Sequence, residues 1–66
     1  MKLMTWKRAL DYAIEYEGGK ITSQYTYLSR SGNVLMYTVG YEMSDTKYLE
    51  TYKITRGNVE LLDLED

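Results

Sequence analysis

A chain of 66 residues with 8 basic and 10 acidic side chains makes one domain of formal charge −2, and at this size folding buries only roughly 60% of the unfolded surface. The absence of histidine and cysteine removes the commonest general base, the strongest nucleophile and the nitrogen and sulfur donors of transition-metal sites. The acidic balance disfavours a sequence-independent grip on nucleic-acid phosphates, which needs clustered Lys and Arg, and no 18-residue apolar run exists to span a membrane.

The composition is globular, with 44% apolar and 27% charged residues. No enzyme activity, metal or cofactor is expected from it. The densest acidic group, Asp63 with Glu65 and Asp66, reads as a solvated tail rather than an acid–base pair, because acid–base work needs a desolvated carboxylate. The acids also lack the alternating oxygen ligands and central glycine of a calcium loop.

The chain starts with a basic Lys2, but charges at Lys7 and Arg8 interrupt any apolar run there. No secretory signal is therefore expected, and the cytoplasm is the expected location. Thr5 stands where a helix N-cap would, before a helix over residues 6–17 that Gly18 and Gly19 stop. On a helical wheel Leu3, Trp6, Leu10, Ala13 and Ile14 share one side, flanked by Ala9, Tyr12 and Tyr16. Lys7, Arg8, Asp11 and Glu15 take the opposite arc. Lys7 and Arg8 in the first turn and Glu15 and Glu17 in the last oppose the helix dipole. Lys7 and Arg8 are therefore candidates for contact with an anion, either a partner or the chain's own acidic tail.

From Lys20 the apolar period changes to two, giving strands over 20–30, 34–43, 48–56 and 59–64. Their dividers are Ser31-Gly32-Asn33, Ser44-Asp45-Thr46 and Gly57-Asn58. The expected fold is α+β, an N-terminal helix packed on a four-stranded antiparallel meander in the order α-β-β-β-β. A three-residue first loop pairs Tyr27 with Tyr37 and Tyr25 with Val39, whereas a two-residue loop would turn Tyr25 and Tyr27 to the other side. With the three-residue loop, one face gathers Ile21, Tyr25, Tyr27, Leu35, Tyr37, Val39, Tyr41, Met43, Tyr48, Tyr52, Ile54, Val59 and Leu61. At the later turns Tyr52 falls opposite Val39, and Ile54 opposite Leu61. The helix is expected on this tyrosine face. The outer face then mixes threonines and charges with Leu28, Val34, Met36, Leu49, Leu62 and Leu64.

Eight tyrosines against no phenylalanine suit a half-buried sheet, with rings in the core and hydroxyls at its rim. They also suit an interface, where tyrosine is a favoured anchor. The candidate partner-binding residues are Val34, Met36, Leu49, Leu62, Leu64, Tyr41 and Tyr48. They imply a non-catalytic protein-binding module, with a homodimer as one form of it. The alternative is a single-stranded nucleic-acid-binding sheet, with Tyr25, Tyr27, Tyr37 and Tyr41 stacking and Lys7, Arg8, Arg30 and Arg56 meeting phosphate. In size and in its cysteine-free, acidic, tyrosine-rich make-up the chain resembles many small phage or mobile-element proteins of bacteria. That resemblance implies a small accessory protein, one role being inhibition by occupying a host protein's surface.

Overall fold

Apolar side chains at positions 3, 6, 10 and 14 fall on one stripe of a helix, and the computed structural model, which describes residues 2–62, forms α1 over Leu3–Tyr16. Four strands follow: β1 (Lys20–Leu28), β2 (Leu35–Met43), β3 (Thr46–Thr55) and β4 (Asn58–Leu62). They make one open antiparallel sheet in the order β1-β2-β3-β4. This is the α-β-β-β-β arrangement that the periodicity predicts.

The helix begins three residues before its expected start. Lys2 is the N-cap, in extended geometry and without a side-chain cap hydrogen bond, so Thr5 is not the cap. The extra turn brings Leu3 against the core, and packing of an amphipathic face outweighs a local capping preference. The C-terminus follows its glycines. Gly18 takes a left-handed φ of 97°, its amide donates to Glu15 O at 3.0 Å, and the Gly19 amide donates to Ile14 O at 2.9 Å. This paired closure satisfies carbonyls that the helix end would otherwise strand.

The core lies between α1 and one face of the sheet. Ile14, Leu35, Tyr37, Val39, Tyr41 and Ile54 are buried there, with Leu3, Trp6, Leu10, Ile21, Met43, Tyr52 and Val59 packed around them. Cross-strand pairs build the sheet side of this core: Leu35 with Ile54, Tyr37 with Tyr52, Tyr41 with Tyr48, and Ile54 with Val59. The expected partners of Tyr52 and Ile54, Val39 and Leu61, are each displaced by two residues, so their faces are unchanged. Both later hairpins close on two residues. Ser44 and Asp45 turn the second with φ of 52° and 64°, and Arg56-Gly57 turn the third with Gly57 at 76°.

The first hairpin corrects the expected register. Ser29 continues the ladder, its amide donating to Val34 O at 2.8 Å, while the Gly32 amide closes a turn onto Ser29 O. The loop is therefore the four residues 30–33 rather than three, and the parity of β1 inverts. Tyr25 pairs with Thr38 and Tyr27 with Met36. Both tyrosines face away from the helix, and Gln24, Thr26 and Leu28 take the places expected for them. A bulge between Ile21 and Ser23 absorbs one residue, so Ile21 still pairs with Tyr41 on the helix side.

The helix wheel needs one adjustment as well. Ala9 and Ala13 are exposed, while Lys7 and Asp11, assigned above to the solvated arc, are half-buried toward the sheet. Among the described residues, no helix is long and apolar enough to cross a membrane.

Candidate interaction surface

Two sets of tyrosines occupy opposite faces, and their surroundings differ. On the helix side, the Tyr37 hydroxyl donates to Asp11 Oδ1 and accepts from Gln24 Nε2 at 3.0 Å. Gln24 Nε2 also donates to Asp11 Oδ2 at 3.3 Å, and Lys7 Nζ pairs with the same oxygen at 2.8 Å. The Lys7 ammonium lies 5.0 Å from the centroid of the Tyr37 ring. Burial, and then the hydrogen bond to Asp11, pushes the Tyr37 hydroxyl up to about 12.

A second acid does similar work further along β3. Tyr52 donates to Glu50 Oε1 at 2.7 Å, and Tyr41 stacks on Tyr48 with ring centroids 5.0 Å apart. Burial, followed by the neighbouring Glu50 carboxylate, pushes Tyr41 up to about 12 and raises Tyr52 as well. Asp11 and Glu50 thus satisfy hydroxyls that would cost about 1–3 kcal/mol each if buried unpaired. The rings of Tyr37 and Tyr41 belong to the core, and that of Tyr52 packs against it.

The outer face carries no helix. Its rows across the strands can be read from the register. Tyr27 lies beside Met36, followed by Lys53 and Glu60; Tyr25 beside Thr38, followed by Thr51 and Leu62; Ser23 beside Gly40, followed by Leu49. Tyr25 is 70% exposed, Tyr27 58% and Leu49 67%. The two tyrosines alone present on the order of 250 Å² of ring and hydroxyl to solvent. The centre of the face is low. Thr38 and Thr51 join their hydroxyls at 2.9 Å, and Gly40 has no side chain. A Cβ at Gly40 would meet Ser23 Oγ at 2.5 Å, with Leu49 Cδ1 3.6 Å away. A threonine–glycine floor is therefore flanked by Tyr25, Tyr27 and Met36 on one side and by Leu49 and Leu62 on the other.

Of the residues nominated from sequence, Met36, Leu49 and Leu62 lie on this outer face, and Val34, half-buried, stands at the end of the first loop just before β2. Leu64 lies outside the described residues. Tyr41 and Tyr48 belong to the helix-side face, Tyr41 only 8% exposed and Tyr48 41%, so the structure does not bring them to the outer-face residues. Tyr25 and Tyr27 stand there instead; their membership depended on the length of one loop. Lys7 is held by Asp11, whereas Arg8 is exposed. The acidic tail proposed beside them, from Asp63 to Asp66, lies outside the described residues. A cleft of about 600 Å³ gathers a different pair of cations, Lys2 and Arg56, with Leu3, Met4, Leu28 and Asn33. Among the described residues no three acidic side chains come together as metal ligands.

Comparison with known family models, curated proteins and solved structures finds no match for this chain.

Proposed function

We propose that this protein is a non-catalytic binding module of the small accessory or inhibitory kind, working in the cytoplasm, that takes a protein partner on the outer face of its sheet. One observation carries the reading: Tyr25, Tyr27 and Leu49 are exposed, and Met36 and Leu62 half-exposed, around a threonine–glycine floor on the face that the helix leaves uncovered. Contiguous apolar patches of a few hundred Å² on a monomer tend to be contact sites. Tyrosines around a floor of small residues also give the rigid, low-entropy anchors that interfaces favour. On the helix side the Tyr37 and Tyr52 hydroxyls are taken up by Asp11 and Glu50.

The test is capture from a bacterial lysate by the wild-type chain and by Tyr25→Ser/Leu49→Glu, followed by titration of the retained protein against both. A partner held by the wild type and lost by a folded double variant supports the reading. A partner held equally by both sinks it. The exposed, neighbouring Tyr25 and Tyr27 also favour a second reading, stacking of a single-stranded nucleic acid, although Tyr37 and Tyr41 are buried and contribute nothing to it. Binding to a single-stranded oligonucleotide that weakens steeply with salt would move the assignment to that class.

A further inference from the structure

The two edges of the sheet are built differently. β4, over Asn58–Leu62, carries the charged Glu60, and charge on an edge strand discourages pairing with another strand. β1 has nine residues, and from Ile21 to Leu28 it contains neither a charge nor a proline. Every residue of β1 except Ile21 is exposed, and its one bulge lies near the start, between Ile21 and Ser23. The rest is a straight, neutral strand rich in tyrosine and threonine, lacking the devices by which sheet edges are usually protected.

The phase of its free backbone groups follows from the ladder. Ser29 N donates inward to Val34 O, so in antiparallel alternation Ser23, Tyr25 and Tyr27 also point their peptide groups at β2. Gln24, Thr26 and Leu28 point theirs outward. We propose that these outward groups pair with the same groups of a second copy of the chain, joining two β1 strands antiparallel into one continuous eight-stranded sheet. Such a contact is isologous and uses the β1 edge of each copy, so it closes as a dimer.

Pairing of all three outward residues selects a second copy with Thr26 on the twofold axis. This setting pairs Gln24 with Leu28 of the partner and forms about six backbone hydrogen bonds. On the outer face it puts Tyr25 beside the partner subunit's Tyr27, and Tyr27 beside the partner subunit's Tyr25, so the aromatic stripe runs unbroken across the axis. A Tyr25-centred register would instead set Leu28 against the bulged Thr22 of the partner subunit and lose that pair of bonds. The helix adds complementarity. Arg8 and Glu15, three residues before Asp11 and four after it, share its flank, and Asp11 is the helix residue that meets Gln24 of β1. Twofold symmetry runs the helices antiparallel and brings the Arg8 end of one toward the Glu15 end of the other.

Sedimentation of the full chain from micromolar to millimolar concentration should give twice the 7.8 kDa chain mass. Thr26→Lys and Thr26→Glu each oppose a charge to its own twin and should each sediment at the single-chain mass with an unchanged far-ultraviolet spectrum. Mixing the two should restore the doubled mass. A single-chain mass for the wild type throughout, or a Thr26→Lys chain that stays dimeric, overturns the proposal; a mixture that stays monomeric overturns the Thr26-centred register. Should either variant unfold, Thr26→Pro replaces it, since proline is tolerated where an edge amide points to solvent, and a dimeric Thr26→Pro chain overturns the proposal equally. The outcome is separable from that of the outer-face reading, because Leu49→Glu should leave the doubled mass intact while abolishing partner capture.

Discussion

At the scale of single residues, the most consequential group is the Tyr37 hydroxyl, wholly buried and held between Asp11 and Gln24. The wheel had given Asp11 and Lys7 to solvent, since a helix-only reading has no way to know that a buried hydroxyl waits opposite. The hydroxyls of Tyr37 and Tyr41 are pushed from 10.0 up to about 12, and that of Tyr52 is raised too. The native chain therefore keeps protons that the unfolded chain has already released, so stability must fall with pH in that range. It is fully present below pH 10 and is lost as pH rises toward about 12. Denaturant midpoints measured across this window should decline, and a flat or rising midpoint would refute the assignment. Tyr37→Phe should cost about 1–3 kcal/mol at neutral pH, because it leaves the half-buried Asp11 carboxylate without that donor. It should also make the alkaline decline shallower.

Among the elements, α1 and β1 show what the sequence made legible and where it stopped. The change from a 3.6 to a 2.0 period at Gly18-Gly19 marked the elements, and parity along β2, β3 and β4 assigned those strands to their faces. The β1 parity depended on one loop, where Ser29 could end the strand or continue it, and nothing in Ser31-Gly32-Asn33 distinguishes three residues from four. The candidate surface inherited that ambiguity: Met36, Leu49 and Leu62 were readable from β2, β3 and β4, but Tyr25 and Tyr27 were not. The start of α1 was missed for a related reason, because Leu3 gains more by packing than Thr5 would by capping. This leaves the helix with an uncapped N-terminus and no acid in its first turn. Lys2 already has the cap backbone geometry, φ −75° and ψ 149°. Lys2→Asp should supply the missing acceptor and a favourable charge at the positive end of the dipole, stabilising by about 0.5–2 kcal/mol. Thermal unfolding would register this as a higher Tm, and an unchanged Tm would show that the first turn is not anchored as described.

At the scale of the whole molecule, the fold is a two-layer structure whose core lies on one side of the sheet only. A core of this size supplies roughly 3–5 kcal/mol of net stability, and four of its side chains, Leu35, Tyr37, Val39 and Ile54, are fully or nearly fully buried. Ile54 sits between Leu35 on β2 and Val59 on β4, so truncation there loosens three strands together. Ile54→Ala should cost about 2–5 kcal/mol, comparable to the whole reserve, and leave much of the chain unfolded by far-ultraviolet circular dichroism at room temperature. Leu49→Lys, five residues back along β3 and on the open face, should change stability by no more than about 0.5 kcal/mol. Equal losses from the two substitutions would mean that the outer face is also a packed core in the isolated chain. A large loss from Ile54→Ala beside a negligible one from Leu49→Lys would mean that Leu49 is not held in place by the folding of the single chain, which leaves its side chain free to meet a partner.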